Sequence, residues 1–191
     1  MKINMNLPNK LTILRIILTP VFLFVFFADF IPYNHFISLF IFIIATITDF
    51  ADGNIARKRN LITNFGKIAD PIADKILTTA VLLGFMMKNL CSIWVLVLIL
   101  TREFSVSAIR ITSASQGAVI PANIYGKIKT ILQMVFSIVI LLLIAIQGSF
   151  ALSIPHFEVI SAVMMWILAV VTIISGMIYI KDSAKTIDFS K

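Results

Sequence analysis

Residues 49–57 read Asp-Phe-Ala-Asp-Gly-Asn-Ile-Ala-Arg, and residues 66–74 read Gly-Lys-Ile-Ala-Asp-Pro-Ile-Ala-Asp. Four carboxylates therefore lie in or beside segments of the chain that are otherwise strongly apolar. A charge at the centre of a membrane span costs roughly 3 kcal/mol on an insertion scale, so four of them require compensating partners. Ionisable groups at membrane depth are candidates for function for this reason.

The composition of the chain is that of a membrane protein. Of its 191 residues, 60% are hydrophobic and 13% are charged, whereas soluble domains are nearer half apolar and a quarter charged. Six apolar segments are long enough to span a bilayer, and they lie near residues 9–29, 34–57, 66–88, 91–115, 122–147 and 155–180. The sequence thus predicts an all-α polytopic membrane protein with six transmembrane helices, which we interpret as a single domain over residues 1–191.

The basic residues predict the orientation of these spans. The net charge of +7 is compatible with binding to nucleic acid, but the Lys and Arg residues flank the spans and line no exposed face, so we expect no nucleic-acid partner. With the N-terminus inside, the outer side receives only Lys88. This asymmetry predicts a multi-pass protein of the cell membrane, with both termini and the carboxylates at the cytoplasmic face.

The spacing of the four carboxylates arranges them in two pairs. Asp49 and Asp52 are three residues apart and Asp70 and Asp74 are four apart, so each pair shares one face of a helix. Since the connection between the two segments is short, the two helices are expected to be antiparallel neighbours with both pairs at similar depth. Four clustered carboxylates cannot all stay ionised without cations.

The ligand chemistry of this cluster favours a hard cation. No His or Cys lies nearby in the sequence, so the ligands are oxygens, which suit Mg²⁺ or Mn²⁺. Two such ions about 3.5–4 Å apart would clamp a transferring phosphoryl group. Gly53, Ala56 and Gly66 lack bulk where a nucleotide could approach the backbone, and Arg57 could neutralise a phosphate.

Eight of these residues form one spaced pattern, which reads Asp49-x-x-Asp52-Gly53-x-x-Ala56-Arg57, then eight residues, then Gly66-x-x-x-Asp70-x-x-x-Asp74. In this pattern the chain resembles the CDP-alcohol phosphotransferase family, whose members displace CMP from a CDP-linked donor with an alcohol. The resemblance implies two Mg²⁺ ions (or Mn²⁺) bridged by Asp49 and Asp70, with Asp52 on the first and Asp74 on the second. It implies that Asp74 is also the catalytic base. The CDP-binding residues that it implies are Asn9, Thr12, Gly53, Ala56, Arg57, Thr63 and Gly66.

Within that family the chain resembles the phosphatidylglycerophosphate synthases, in residues 6–15, 102–104, 110 and 126–130. This resemblance implies CDP-diacylglycerol as donor, sn-glycerol 3-phosphate as acceptor, contact with membrane lipid and a homodimer. A small dianionic acceptor needs a basic subsite, which Arg110, Lys127 and Lys129 could supply from the cytoplasmic ends of spans four and five. Glu103 beside Arg102 could orient these groups.

Alternative interpretations exist for each set of residues. The four aspartates could form structural ion pairs with Arg57, Lys67 and Lys75. The three basic residues of the acceptor subsite could serve topology alone, and Arg102 with Glu103 could be a plain buried salt bridge. The acceptor could instead be inositol phosphate, serine or phosphatidylglycerol. Two other functions for the chain are a cation-coupled transporter and a structural assembly protein. A transporter would usually show internal repeats, which this sequence does not. A structural role would leave the Gly and Asp spacing unexplained.

Overall fold

The computed structural model describes residues 6–58, 64–115, 124–150 and 152–183, without the side chains at 50–58, 64–65, 67–68 and 114–115. Over these residues the chain forms six helices, namely α1 (Leu7–Phe27), α2 (Asn34–Lys58), α3 (Asn64–Met87), α4 (Ile93–Ser115), α5 (Ile124–Phe150) and α6 (Phe157–Ser183). The all-α class is therefore confirmed for the described part of the chain. Each helix coincides with one predicted span to within a few residues at either end.

Three of the described helices, α1, α5 and α6, are long and apolar enough to cross a membrane. In α2 the apolar part is shorter and covers Asn34–Asp49. α3 and α4 carry charged residues of the candidate site inside their apolar sequence, which lowers their hydropathy. A membrane protein with several apolar helices is thus confirmed, while six spans with both termini cytoplasmic stay a prediction.

The chain forms two compact units. Unit 1 comprises the described residues within 1–84 and 138–154, and unit 2 comprises those within 85–137 and 155–191. Unit 1 contains α1, α2, most of α3 and the C-terminal part of α5, whereas unit 2 contains α4, α6 and the N-terminal part of α5. The single domain over residues 1–191 stays a prediction.

The core of unit 1 is built on one face of α1. Apart from the adjacent pairs at its two ends, its buried residues recur every three or four positions, which is the spacing of a single helix face. They are Pro8, Asn9, Thr12, Arg15, Thr19, Phe22, Val25 and Phe26. The second half of this face is apolar: Phe22 stacks on Phe26 at 5.7 Å between ring centroids and contacts Phe42 of α2 at 6.2 Å. The first half is polar although it is equally buried, so each of its polar groups requires a partner.

Candidate active site

The polar half of α1 contacts two of the signature carboxylates. The Arg15 side chain is fully buried, and its Nη1 lies 2.5 Å from Oδ1 of Asp49 on α2. The Thr12 side chain is also fully buried, and its hydroxyl donates a hydrogen bond to Oδ1 of Asp70 on α3. Thr12 and Arg15 are three residues apart and therefore adjacent on the helix surface. The structure thus brings Asp49 and Asp70 against the same turn of α1.

Asp74 follows Asp70 by one turn of α3 and is partly buried. The Thr78 hydroxyl lies 3.0 Å from the Asp74 backbone carbonyl, which it can use as an acceptor. Pro71 lies between the two aspartates, inside the helix. Because α3 continues through Pro71, Asp70 and Asp74 retain the helical spacing that puts them on one face.

Other residues of the predicted donor site are placed only in part. Gly66 is buried in the first turn of α3, and Asn9 is buried in α1 with 2% of its surface exposed. The predicted residues whose side chains lie outside the described part of the chain are Asp52, Gly53, Ala56 and Arg57. Thr63 lies outside the described residues altogether.

The donor chemistry of the cluster fits a hard divalent cation. Asp49, Asp70 and Asp74 offer only carboxylate oxygens, the ligand type that Mg²⁺ and Mn²⁺ prefer. Among the described side chains, no three His, Cys, Asp or Glu residues converge closely enough to hold a metal ion. The fourth predicted ligand, Asp52, is outside that set. In this arrangement a buried guanidinium already compensates the charge of Asp49.

Unit 2 contains a second group of charges, largely buried and centred on Glu103 of α4. Its Oε1 accepts hydrogen bonds from Nη1 of Arg102 at 2.9 Å and from Nζ of Lys129 on α5 at 2.6 Å. The same lysine donates to Oε1 of Gln133, and Nη2 of Arg102 donates to Oγ of Ser175 on α6 at 2.8 Å. This charge network therefore links α4, α5 and α6 within unit 2.

Two glycines lie beside the Arg102 side chain, and one of them makes room for it. A Cβ atom at Gly176 on α6 would lie 2.9 Å from Cγ of Arg102, closer than real Cβ contacts come. A Cβ at Gly126 on α5 would lie 3.5 Å from Nη2 of the same arginine, which is ordinary contact. A side chain at position 176 would therefore require Arg102 to shift.

The three residues predicted to bind the acceptor phosphate differ in exposure. Arg110 is exposed and its guanidinium lies 5.9 Å from the ring centroid of Tyr179, while Lys127 is exposed in the first turn of α5. Lys129 is only 2% exposed and is paired with Glu103. Arg110 and Lys127 are therefore open to a ligand in unit 2, and Lys129 is part of the buried network.

Sequence reasoning missed the role of Arg15. Arg15 lies near the end of the first span that is predicted to be cytoplasmic, so from the sequence alone it is interpreted as a charge that sets the topology. The available signal was its spacing, because Arg15 lies three residues from Thr12 and seven from Pro8 within an apolar helix, so it shares their buried face. Gln133 and Ser175 had no such signal, since a neutral polar residue in a span is common.

Comparison with known proteins agrees with these features. The family model described as CDP-alcohol phosphatidyltransferase matches residues 5–174. A Bacillus subtilis protein named CDP-diacylglycerol–glycerol-3-phosphate 3-phosphatidyltransferase is 38% identical over 189 residues, covering 91% of this chain and 93% of the relative. Proteins of the same name from Rickettsia bellii and Haemophilus influenzae are 42% and 33% identical, covering 97% and 92% of this chain and 99% and 92% of their own lengths. The chain belongs to the CDP-alcohol phosphatidyltransferase family.

Proposed function

We propose that the protein transfers the phosphatidyl group of CDP-diacylglycerol to sn-glycerol 3-phosphate, which releases CMP and forms phosphatidylglycerophosphate. The observation that carries the reaction class is the contact of Asp49 and Asp70, both from the spaced signature, with a single turn of α1. The two substrates are those in the names of relatives that match nearly the full length of the chain.

Asp49, Asp52, Asp70 and Asp74 would hold two divalent cations, Mg²⁺ or alternatively Mn²⁺. When bound, these ions would neutralise charge on the diphosphate of the donor. The all-oxygen donor set supports this proposal. The signature residues Gly53, Ala56, Arg57, Thr63 and Gly66 and the α1 residues Asn9 and Thr12 would hold the cytidine diphosphate.

Asp74 is the proposed general base. It accepts the proton of the sn-1 hydroxyl of glycerol 3-phosphate, and the hydroxyl oxygen forms a bond to the phosphorus that carries diacylglycerol. The bond from this phosphorus to the CMP oxygen breaks, and CMP leaves with the electron pair. The protein contributes mainly by positioning the two substrates and by compensating charge. The partial burial of Asp74 one turn from Asp70 supports its assignment.

The phosphate of the acceptor would bind to Arg110, Lys127 and Lys129. The exposure of Arg110 and Lys127 supports direct contact with a ligand. Lys129 is buried, and we propose that it acts through its charge. Glu103 pairs with both Arg102 and Lys129, so one carboxylate compensates two cations. The Arg102–Glu103–Lys129 group therefore keeps a net positive charge that favours an anion.

The proposed enzyme crosses the cell membrane six times, with both termini in the cytoplasm, and functions as a homodimer. Glycerol 3-phosphate is soluble and the acyl chains of the donor stay in lipid, so an active site at the cytoplasmic membrane surface reaches both. The apolar character of α1, α5 and α6 supports the location in a membrane.

An acceptor panel tests the proposal. Purified protein in detergent would be given CDP-diacylglycerol and, in separate reactions, glycerol 3-phosphate, inositol phosphate, serine or phosphatidylglycerol, each with Mg²⁺ and with Mn²⁺. We expect CMP release that depends on glycerol 3-phosphate. Faster release with another acceptor would assign a different member of the family, and no release with any of them would refute phosphatidyl transfer.

A further inference from the structure

The buried guanidinium of Arg15 is the largest fully buried side chain of α1. Arginine stays protonated in proteins, so this helix carries a permanent positive charge inside unit 1. The charge lies 2.5 Å from a carboxylate oxygen of Asp49, whose side chain is 31% exposed. A buried cation is thus paired with a carboxylate that is partly exposed.

Asp70 is also contacted by a buried side chain of α1, but there the donor is uncharged. One turn before Arg15, the Thr12 hydroxyl contacts the Asp70 carboxylate. The two carboxylates proposed to bridge the metal ions are therefore both engaged from α1, one by a cation and one by a neutral donor. Of these two contacts from α1, the one at Asp49 brings a full positive charge to the carboxylate.

We propose that Arg15 is a resident counter-cation of the carboxylate cluster, which compensates Asp49 when divalent cations are absent and weakens their binding when they are present. The proposal rests on the proposed metal-binding role of the aspartates. A fixed positive charge in contact with a ligand oxygen repels a divalent ion at that ligand. The same charge compensates the Asp49 carboxylate in the metal-free protein. Arg15 is a positioning residue in this account, since it acts through Asp49.

A purely structural ion pair makes a different prediction. In that case removal of Arg15 would destabilise the protein equally with and without metal, because the pair would contribute the same free energy in both states. In the counter-cation account the loss is confined to the metal-free state. A cation that binds only the folded protein stabilises that protein more strongly when it binds more tightly. A variant with higher affinity for the cation should therefore gain more stability from it.

The test uses the full-length protein in detergent and three variants. Arg15→Gln removes the charge, Arg15→Lys keeps it, and Lys10→Gln removes an exposed charge from the same helix as a matched control. The Mn²⁺ dissociation constant is measured from the electron paramagnetic resonance signal of free Mn²⁺, and the melting temperature is measured in chelator and in excess Mn²⁺.

We expect Arg15→Gln to bind Mn²⁺ at least tenfold more tightly than the unsubstituted protein, which corresponds to about 1.4 kcal/mol. Its melting temperature should fall in chelator and recover in excess Mn²⁺. Arg15→Lys and Lys10→Gln should stay within about threefold of the original dissociation constant, a difference of roughly 0.7 kcal/mol.

Unchanged or weaker Mn²⁺ binding by Arg15→Gln would overturn the inference while leaving the metal-binding proposal intact. The inference would also be overturned if Arg15→Gln could not be purified in a folded form even in excess Mn²⁺. That result would mean that the ion pair is needed in the metal-bound state as well as in the metal-free state, as expected of a purely structural pair. If the unsubstituted protein binds no Mn²⁺, the proposed metal site fails and the inference fails with it.

Discussion

Substituting glutamine for Glu103 removes the negative charge between two buried cations while it preserves the size of the side chain. Arg102 Nη1 and Lys129 Nζ lie 2.9 and 2.6 Å from the same carboxylate oxygen. The two nitrogens are therefore no more than about 5.5 Å apart, and at an effective dielectric constant of about 20 they repel by roughly 3 kcal/mol. In the unsubstituted protein the Glu103 carboxylate offsets this repulsion, and in Glu103→Gln nothing at that position does. We expect Glu103→Gln to lower the free energy of unfolding by about 3 kcal/mol, near the low end for breaking a buried ion pair.

The single cysteine of the chain provides the assay. Cys91 is only 5% exposed, so a thiol-reactive fluorogenic dye labels it as the protein unfolds. In a chain of this length a loss of about 3 kcal/mol corresponds to a fall in melting temperature of about 6–12 °C. The measurement compares the two proteins in the same detergent during a temperature ramp.

The matched control is Glu158→Gln, which removes an exposed carboxylate from the first turn of α6 in the same unit. We expect that variant to lose less than about 1 kcal/mol, the contribution of a favourable charge at a helix start. Adding Lys129→Met to Glu103→Gln should recover part of the stability, because one of the two cations is then gone. The reasoning would be refuted if Glu103→Gln had the same melting temperature as Glu158→Gln. It would also be refuted if the loss of stability in the double variant equalled the sum of the losses in the two single variants.

Three further predictions concern packing, positioning and metal dependence. Gly176→Ala should lower the free energy of unfolding by about 1–3 kcal/mol because its Cβ meets Cγ of Arg102 at 2.9 Å, whereas Gly148→Ala, with His35 Nδ1 at 3.9 Å, should be neutral or stabilising in the same dye assay. Thr12→Val should reduce turnover about tenfold, or roughly 1.4 kcal/mol, through loss of the hydrogen bond to Asp70, and Thr12→Ser should retain most of it; equal rates for both variants would contradict this. Chelation should abolish CMP release and added Mg²⁺ should restore it, whereas release that persists in chelator would contradict a metal requirement.

The sequence was sufficient to predict the helices and the shared face of Asp70 and Asp74. Apolar length set the six helices to within a few residues, and the spacing of Asp70 and Asp74 predicted a shared face that the helix through Pro71 preserves. The charged residues of α3 and α4 were also visible in the sequence, and they explain why α1, α5 and α6 have the clearest membrane-spanning character.

The side-chain pairings between helices could not be predicted from the sequence. Lys129 and Glu103 are 26 positions apart on different helices, and no local spacing brings them together. Positive charges near span ends have one general explanation, which is topology. That explanation accounts for Arg15 and Lys129 without revealing that both are buried against carboxylates. Only the packing of α1 on its neighbours identifies the partner of Arg15.

The most direct test of the account is the rate of CMP release by purified protein with CDP-diacylglycerol, glycerol 3-phosphate and Mg²⁺, compared with its Asp49→Asn, Asp70→Asn and Asp74→Asn variants. The account predicts release that depends on glycerol 3-phosphate and falls at least 100-fold in each variant, equivalent to about 2.7 kcal/mol of transition-state stabilisation. Circular dichroism of each variant would verify that it remains helical. An Asp74→Asn protein that keeps most of its turnover would contradict the assignment of the base, and variants that all remain active would contradict the carboxylate site itself.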